Sequence, residues 1–152
     1  MREEAEQNMM RMLVATDGSP HAIAAAKLAA RLGPELREAE VILLNVGHVP
    51  VIAMGGPGAG FVDLGALEEG MRKTGQTILE STAPALVGVD SPVSRVYRQG
   101  DPASEIIKAA VEHKADLIIM GSRDLGQVGG LILGSVSERV LHGARIPVPI
   151  VR

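Results

Sequence analysis

The sequence predicts an α/β domain with a doubly wound, mainly parallel five-stranded sheet and helices on both faces, and three observations carry that expectation. Short apolar runs alternate with longer segments of helical period, in the order β-α-β-α-β-α-β-α-β. The run Val41 to Val46 (VILLNV) is almost continuously apolar, as strands buried on both faces of a parallel sheet are. At 152 residues and 46% hydrophobic content, the chain has the size of one domain. Helical connections throughout then require parallel pairing and right-handed crossovers.

Taken in order, residues 1 to 11 (MREEAEQNMMR) are polar and read as a flexible leader to a single domain over 12 to 152. They hold no apolar stretch of the secretory kind, and Met9, Met10 and Met12 are alternative starts. Met12 to Thr16 is the first strand, followed by Asp17-Gly18-Ser19-Pro20, a turn in which Ser19 caps a helix and Pro20 enters its first turn. The helix His21 to Leu32 is rich in Ala, Leu and Lys, and Gly33-Pro34 stops it. After the second strand, Val41 to Val46, residues 47 to 64 are Gly- and Pro-rich without period and read as a loop or lid. Apolar residues return at helical spacing from Leu64 to Leu86, with Gly70, Gly75 and Pro84 expected to weaken or bend the end. Val93 to Tyr97 is the third strand, and Gly100-Asp101-Pro102 opens an amphipathic helix over Ala103 to His113. Ala115 to Met120 (ADLIIM) is the most strand-like run in the chain; Ser135 to His142 is the last helix and Ile146 to Val151 the last strand.

Composition narrows the functions. Tyr97 and Phe61 are the only aromatics, which excludes a base-stacking surface for single-stranded nucleic acid. A net charge of −3 argues against a phosphate-backbone binder. No apolar run reaches the roughly 18 residues of a membrane span. The absence of Cys removes thiolate chemistry and sulfur-ligated metals, and by default favours an intracellular compartment. Of the 18 glycines, nine fall in two stretches, Gly55 to Gly60 and Gly121 to Gly134. Such clusters mark either flexible loops or places where main-chain amides approach another group.

Two common phosphate motifs are absent. No Lys follows Gly126, Gly130 or Gly134 as a P-loop requires, and the turn after the first strand reads TDGSPH rather than G-x-G-x-x-G. What is present is VATDGS near the start, then GDPASEII, DLIIMGSR and LGSVSERVL. With these segments in this order, the chain resembles a universal stress protein from Met12 to Arg152. The resemblance implies a Rossmann-like fold of the adenine nucleotide alpha hydrolase type, a cytoplasmic homodimer and a role in stress response. In the ATP-binding branch the signature is G-x-x-G-x9-G-[ST], whose glycine loop and helix start present amides to phosphates. Carried over by position, Asp17 would bond ribose or adenine, beside Ala15 and Thr16. Val46 would pack on adenine, Met120 and Gly121 would form the floor, and Gly134, Ser135 and Val136 would hold phosphates.

One position departs from the signature, because Asp124 stands where its second glycine belongs. A carboxylate about 5 Å from a phosphate costs roughly 3 kcal/mol per facing unit charge at an effective dielectric near 20, about a hundredfold in affinity. Solvent-facing Asp124 reduces that cost, a bridging Mg²⁺ turns it into a metal-shell residue, and Gly126 offers the backbone freedom that was lost. Simpler roles stand beside these. Asp17 can be a turn former, Ser135 a helix cap, and Arg123 either a phosphate partner or an exposed loop charge. His21, His48, His113 and His142 lack metal spacing and read as surface or helix-end residues, with His48 nearest the expected pocket.

The resemblance also implies a dimer formed by pairing of the last strand, Ile146 to Val151. Pro147 and Pro149 lack N–H groups on one side of it, and they are expected to blunt its outer edge while Val148 and Ile150 face the neighbouring strand. Fewer cross-strand main-chain bonds follow from that orientation. The favoured reading is an adenine-nucleotide-binding module, with ATP as ligand and Mg²⁺ as a companion, because no residue is an evident base for hydrolysis. Three alternatives differ from it: a nucleotide-free dimeric interaction protein disabled by Asp124, a slow Mg²⁺-dependent ATPase, and an adenylating enzyme. The last requires an S-G-G-x-D loop that ATDGS does not supply.

Overall fold

The structure is a computed structural model that describes residues 9–36, 38–48, 63–90, 92–122 and 133–152. Five strands, β1 (Met10–Ala15), β2 (Ala39–Gly47), β3 (Val93–Gln99), β4 (Leu117–Gly121) and β5 (Ile150–Val151), form one sheet. Its order is β3-β2-β1-β4-β5 and every pair is parallel. The helices are α1 (Pro20–Leu32), α2 (Leu64–Thr82), α3 (Pro102–Glu112) and α4 (Ser135–Gly143).

Alternation along the strands divides the core into two layers, as a sheet covered on both faces requires. Leu13, Ile42, Leu44, Ile118 and Met120 point to the face covered by α3 and α4, against Ile106, Ala109 and Val140. Met12, Val14, Val41, Leu43 and Ile119 point to the other, against Ala25, Ala26 and Ala29 of α1 and Leu79 of α2. Alanines on α1 and α3 let both helices sit close to the sheet where aromatic residues would hold them off.

The ends of the elements refine the sequence reading. Ser19 does cap α1, its Oγ accepting from the Ala22 amide at 3.2 Å. Strand β1 begins at Met10, so Met10 and Arg11 belong to the sheet rather than the leader. The Arg11 amide donates to Asp116 Oδ2 at 2.7 Å, a partner 105 residues away that local sequence cannot reveal. Helix α2 runs unbroken through Gly70 and Gly75 to Thr82, and Pro84 lies in the 3₁₀ turn Ala83–Leu86 that follows. Gly75 is required there, since a Cβ would lie 2.4 Å from the ring of Tyr97.

The last strand corrects an expectation. The amides of Ile118, Met120 and Ser122 donate to the carbonyls of Pro147, Pro149 and Val151 at 3.0, 3.2 and 2.7 Å. A strand residue turns its N–H and C=O to the same side, so both prolines face β4. Their missing N–H groups leave the inner ladder incomplete, and regular pairing shrinks to Ile150–Val151. The outer edge is not blunted; Val148 and Ile150 keep their amides on it.

Candidate functional site

In a doubly wound sheet, ligands bind beyond the carboxyl ends of the strands where the strand order reverses. Here that place lies between β1 and β4, since β1 is followed in the chain by β2 on its other side. A cavity of about 310 Å³ opens there. Ala15 lines it from β1, Thr16 and Asp17 from the turn that follows, Val46 from β2, Met120 and Gly121 from β4, and Val136 from α4. Seven residues expected from the sequence thus converge on one cleft.

The turn after β1 is built from its own short polar side chains. Gly18 has φ +77°, the left-handed conformation that favours glycine. The Ser19 amide donates to Asp17 Oδ1 at 2.9 Å, and the Gly18 amide donates to Thr16 Oγ1 at 3.1 Å. Asp17 therefore does form the turn, while it also lines the cavity.

Gly121 marks the closest approach of two elements. A Cβ there would lie 2.5 Å from the carbonyl carbon of His21 and 2.7 Å from the Ala22 nitrogen. The absence of a side chain lets β4 run against the first turn of α1, where His21 Nδ1 donates to the Ser122 carbonyl. Ser137 of α4 fixes the opposite side, its hydroxyl donating to the Gly121 carbonyl at 3.0 Å.

Helix α4 starts at Ser135 with Gly134 as its cap, a residue with no side chain to bond the first-turn amides. Ser135 is thus the first helical residue rather than the capping residue. The first bond of the helix is from the Glu138 amide to the Gly134 carbonyl at 2.9 Å. Amides of 135 to 137 carry no helical partner and give that end a partial positive charge. Val136 and Ser137 line the cavity, while Gly134 and Ser135, expected there from the sequence, are not among its lining residues.

An ion pair joins the two helices that flank it. Arg139 of α4 grips Asp101, the cap of α3, with two bonds of 2.8 Å. The guanidinium, reinforced by the Ser104 amide, holds the Asp101 carboxyl well below the usual carboxylate range.

Arg123, Asp124 and Gly126, together with most of the second glycine cluster, lie outside the described residues, as do residues 49–62 of the expected loop or lid. The proposed Mg²⁺ contact of Asp124 lies there too. Among the described residues, no group of three His, Asp or Glu could hold a metal ion.

Sequence reading missed Asn45 and Ser137, and placed His48 only near the pocket. All three line the cavity. Asn45 is 5% exposed, and its Nδ2 donates to the Thr16 carbonyl at 2.8 Å. A single amide inside an apolar strand, VILLNV, is a legible signal, because a buried polar group needs a partner. His48 Nδ1 reaches the Gly100 carbonyl at 3.3 Å.

Fold and cleft together define an α/β domain with a ligand-sized site at the switch point of its sheet. The universal stress protein family model matches residues 9–152, and the chain belongs to that family. A universal stress protein of Thermus aquaticus is 35% identical over 143 residues, spanning 93% of this chain and 97% of that protein. The solved structure of hypothetical protein MJ0577 superposes with a TM-score of 0.77 at 29% identity, over 93% of this chain and 94% of its own. A universal stress protein solved in complex with cAMP shares the fold, with a TM-score of 0.69 at 21% identity over 94% and 97% of the two chains.

Proposed function

We propose that the cleft binds an adenine nucleotide, and that the protein acts as a nucleotide-binding module of stress response, with the cytoplasm as its expected compartment. The observation that carries this reading is the pairing of two chemistries in one cavity. Val46, Ile106 and Met120 supply an aliphatic wall for a planar base, and the start of α4, capped by a glycine without a side chain, supplies amides for an anion. Asp17, at the end of β1, is the acceptor for ribose hydroxyls. The volume fits the lower end of small-ligand sites, roughly 300 to 1,000 Å³. The cAMP complex of a protein sharing this fold supports the class of ligand. With no Phe, Tyr or Trp among the cavity's described residues, adenine is held by aliphatic contact and main-chain hydrogen bonds, with the His48 imidazole as the one aromatic ring on the lining described.

ATP is the nucleotide on which Asp124 acts, directly or through Mg²⁺. Calorimetric titration of the wild type and Asp124→Gly with AMP and with ATP, each with and without Mg²⁺, tests this. The wild type is expected to bind AMP in the micromolar range. Asp124→Gly is expected to bind ATP more tightly, up to about a hundredfold at low salt. No heat from either protein with any of these ligands contradicts the proposal.

A homodimer is part of the same reading. It is supported by the outer edge of the last strand, where Val148 and Ile150 carry outward amides and carbonyls.

A further inference from the structure

The turn that forms one side of the cavity rests on α2, a helix that contributes no residue to the cavity's described lining. Thr82, in the last turn of α2, has no exposed surface, and its hydroxyl lies 2.9 Å from that of Thr16. It also lies 2.8 Å from the Ile78 carbonyl, which can only accept. A hydroxyl has one proton. The arrangement that satisfies every group therefore has Thr82 donating to Ile78 and Thr16 donating to Thr82. Thr16 Oγ1 then accepts from the Gly18 amide at 3.1 Å. The result is a directed relay from the Gly18 amide through Thr16 and Thr82 to the Ile78 carbonyl, 60 residues along the chain.

A second contact makes the same connection. A Cβ on Gly18 would meet the Ile78 side chain at 3.5 Å, so the left-handed turn lies directly on α2. From the other side, Asn45 holds the Thr16 carbonyl. Thr16 is thus fixed at both its polar ends, between Ala15 and Asp17, and its hydroxyl is committed inward.

We infer that Thr82 is a positioning residue for the ligand site, setting the Thr16–Gly18 turn through the Thr16 hydroxyl and making nucleotide affinity depend on how α2 is seated. The affinity part of this inference rests on the proposed nucleotide binding; the link between α2 and the turn does not. Contacts made elsewhere on α2 are then transmitted to the site without touching the ligand.

The test compares Thr82→Val, Thr82→Ser and Leu86→Ala, the last removing a buried side chain from the core layer that holds Leu79 of α2 and taking away no hydroxyl. Two quantities are read: AMP affinity by calorimetry, and the Gly18 amide exchange rate without ligand. Thr82→Val is expected to weaken AMP binding and to speed Gly18 exchange, each by about tenfold, because it leaves the Thr16 proton without an acceptor. Thr82→Ser is expected to keep both within about twofold of wild type, as the bond itself remains. Unchanged Gly18 exchange in Thr82→Val overturns the link to α2. Equal effects from Leu86→Ala, or failure of Thr82→Ser to restore both readouts, reduce Thr82 to a packing residue and also overturn it. If the wild type binds no AMP, the nucleotide reading fails, and Gly18 exchange alone decides the link.

Discussion

Met120 donates its amide to the carbonyl of Pro149 at 3.2 Å, and this one bond sets the direction of the whole last strand. With Pro149 turned inward, Val148 and Ile150 present intact donors and acceptors outward. Val148→Pro removes an outer donor while leaving the bonds to β4 in place. It is expected to weaken dimerisation at least about tenfold, the effect of losing a cross-strand bond or more. Pro149→Val is expected to leave the dimer intact. Sedimentation velocity across a concentration series reads both; a monomeric wild type at micromolar concentration contradicts the dimer.

Tyr97 carries a buried hydroxyl with no hydrogen-bond partner among the described residues. Tyr97→Phe removes the group that pays this desolvation cost, and is expected to raise stability by about 1 kcal/mol in urea unfolding. Burial pushes the Tyr97 phenol above its ordinary value, with Glu68 adding slightly and Arg72 opposing. In the folded state the phenol therefore holds its proton to higher pH than in the unfolded chain. Stability is then present below about pH 10 and falls as pH rises through the folded value. The loss above pH 10 should be shallower in Tyr97→Phe.

Gly121→Ala forces a methyl to within 2.5 Å of the α1 backbone, which a side-chain rotation cannot relieve. A loss of about 1–3 kcal/mol is expected in urea unfolding, as for other overpacked sites. AMP affinity should fall with it, because the same shift moves the cavity floor. An unchanged midpoint contradicts the close approach of β4 and α1.

Asp101 has its carboxyl held low, first by Arg139 and then by Ser104. A depressed carboxylate contributes stability above its unfolded value, near 4, and loses it as pH falls through the folded value. Asp101→Asn should flatten the stability profile below about pH 4 while leaving the neutral plateau with a constant offset. An acid limb unchanged in the variant contradicts the pair.

The layered sheet was legible because its causes are local: apolar runs of strand length, helical period between them, and Ser19 and Pro20 at a helix start. Much of the cleft was legible too, since Asp17, Val46 and Gly121 sit at strand ends whatever the details of packing. What escaped depends on distant partners. Met10 and Arg11 join β1 by pairing with Ala39 and Glu40 of β2, with Asp116 taking the Arg11 amide, and Ser137 finds the Gly121 carbonyl only once α4 has docked. The side to which Pro147 and Pro149 turn is a matter of register, and a slip of one residue reverses every group on the strand.

On the proposed function, one cleft, at the ends of β1, β2 and β4 and the start of α4, receives the nucleotide. Amide chemical-shift mapping during an AMP titration tests it most directly. Saturable changes are expected at Thr16 to Gly18, Asn45 to Val46, Gly121 to Ser122 and Ser135 to Ser137, with α2 shifting only near Ile78 and Thr82. Saturable changes centred elsewhere, or none at millimolar AMP, contradict it.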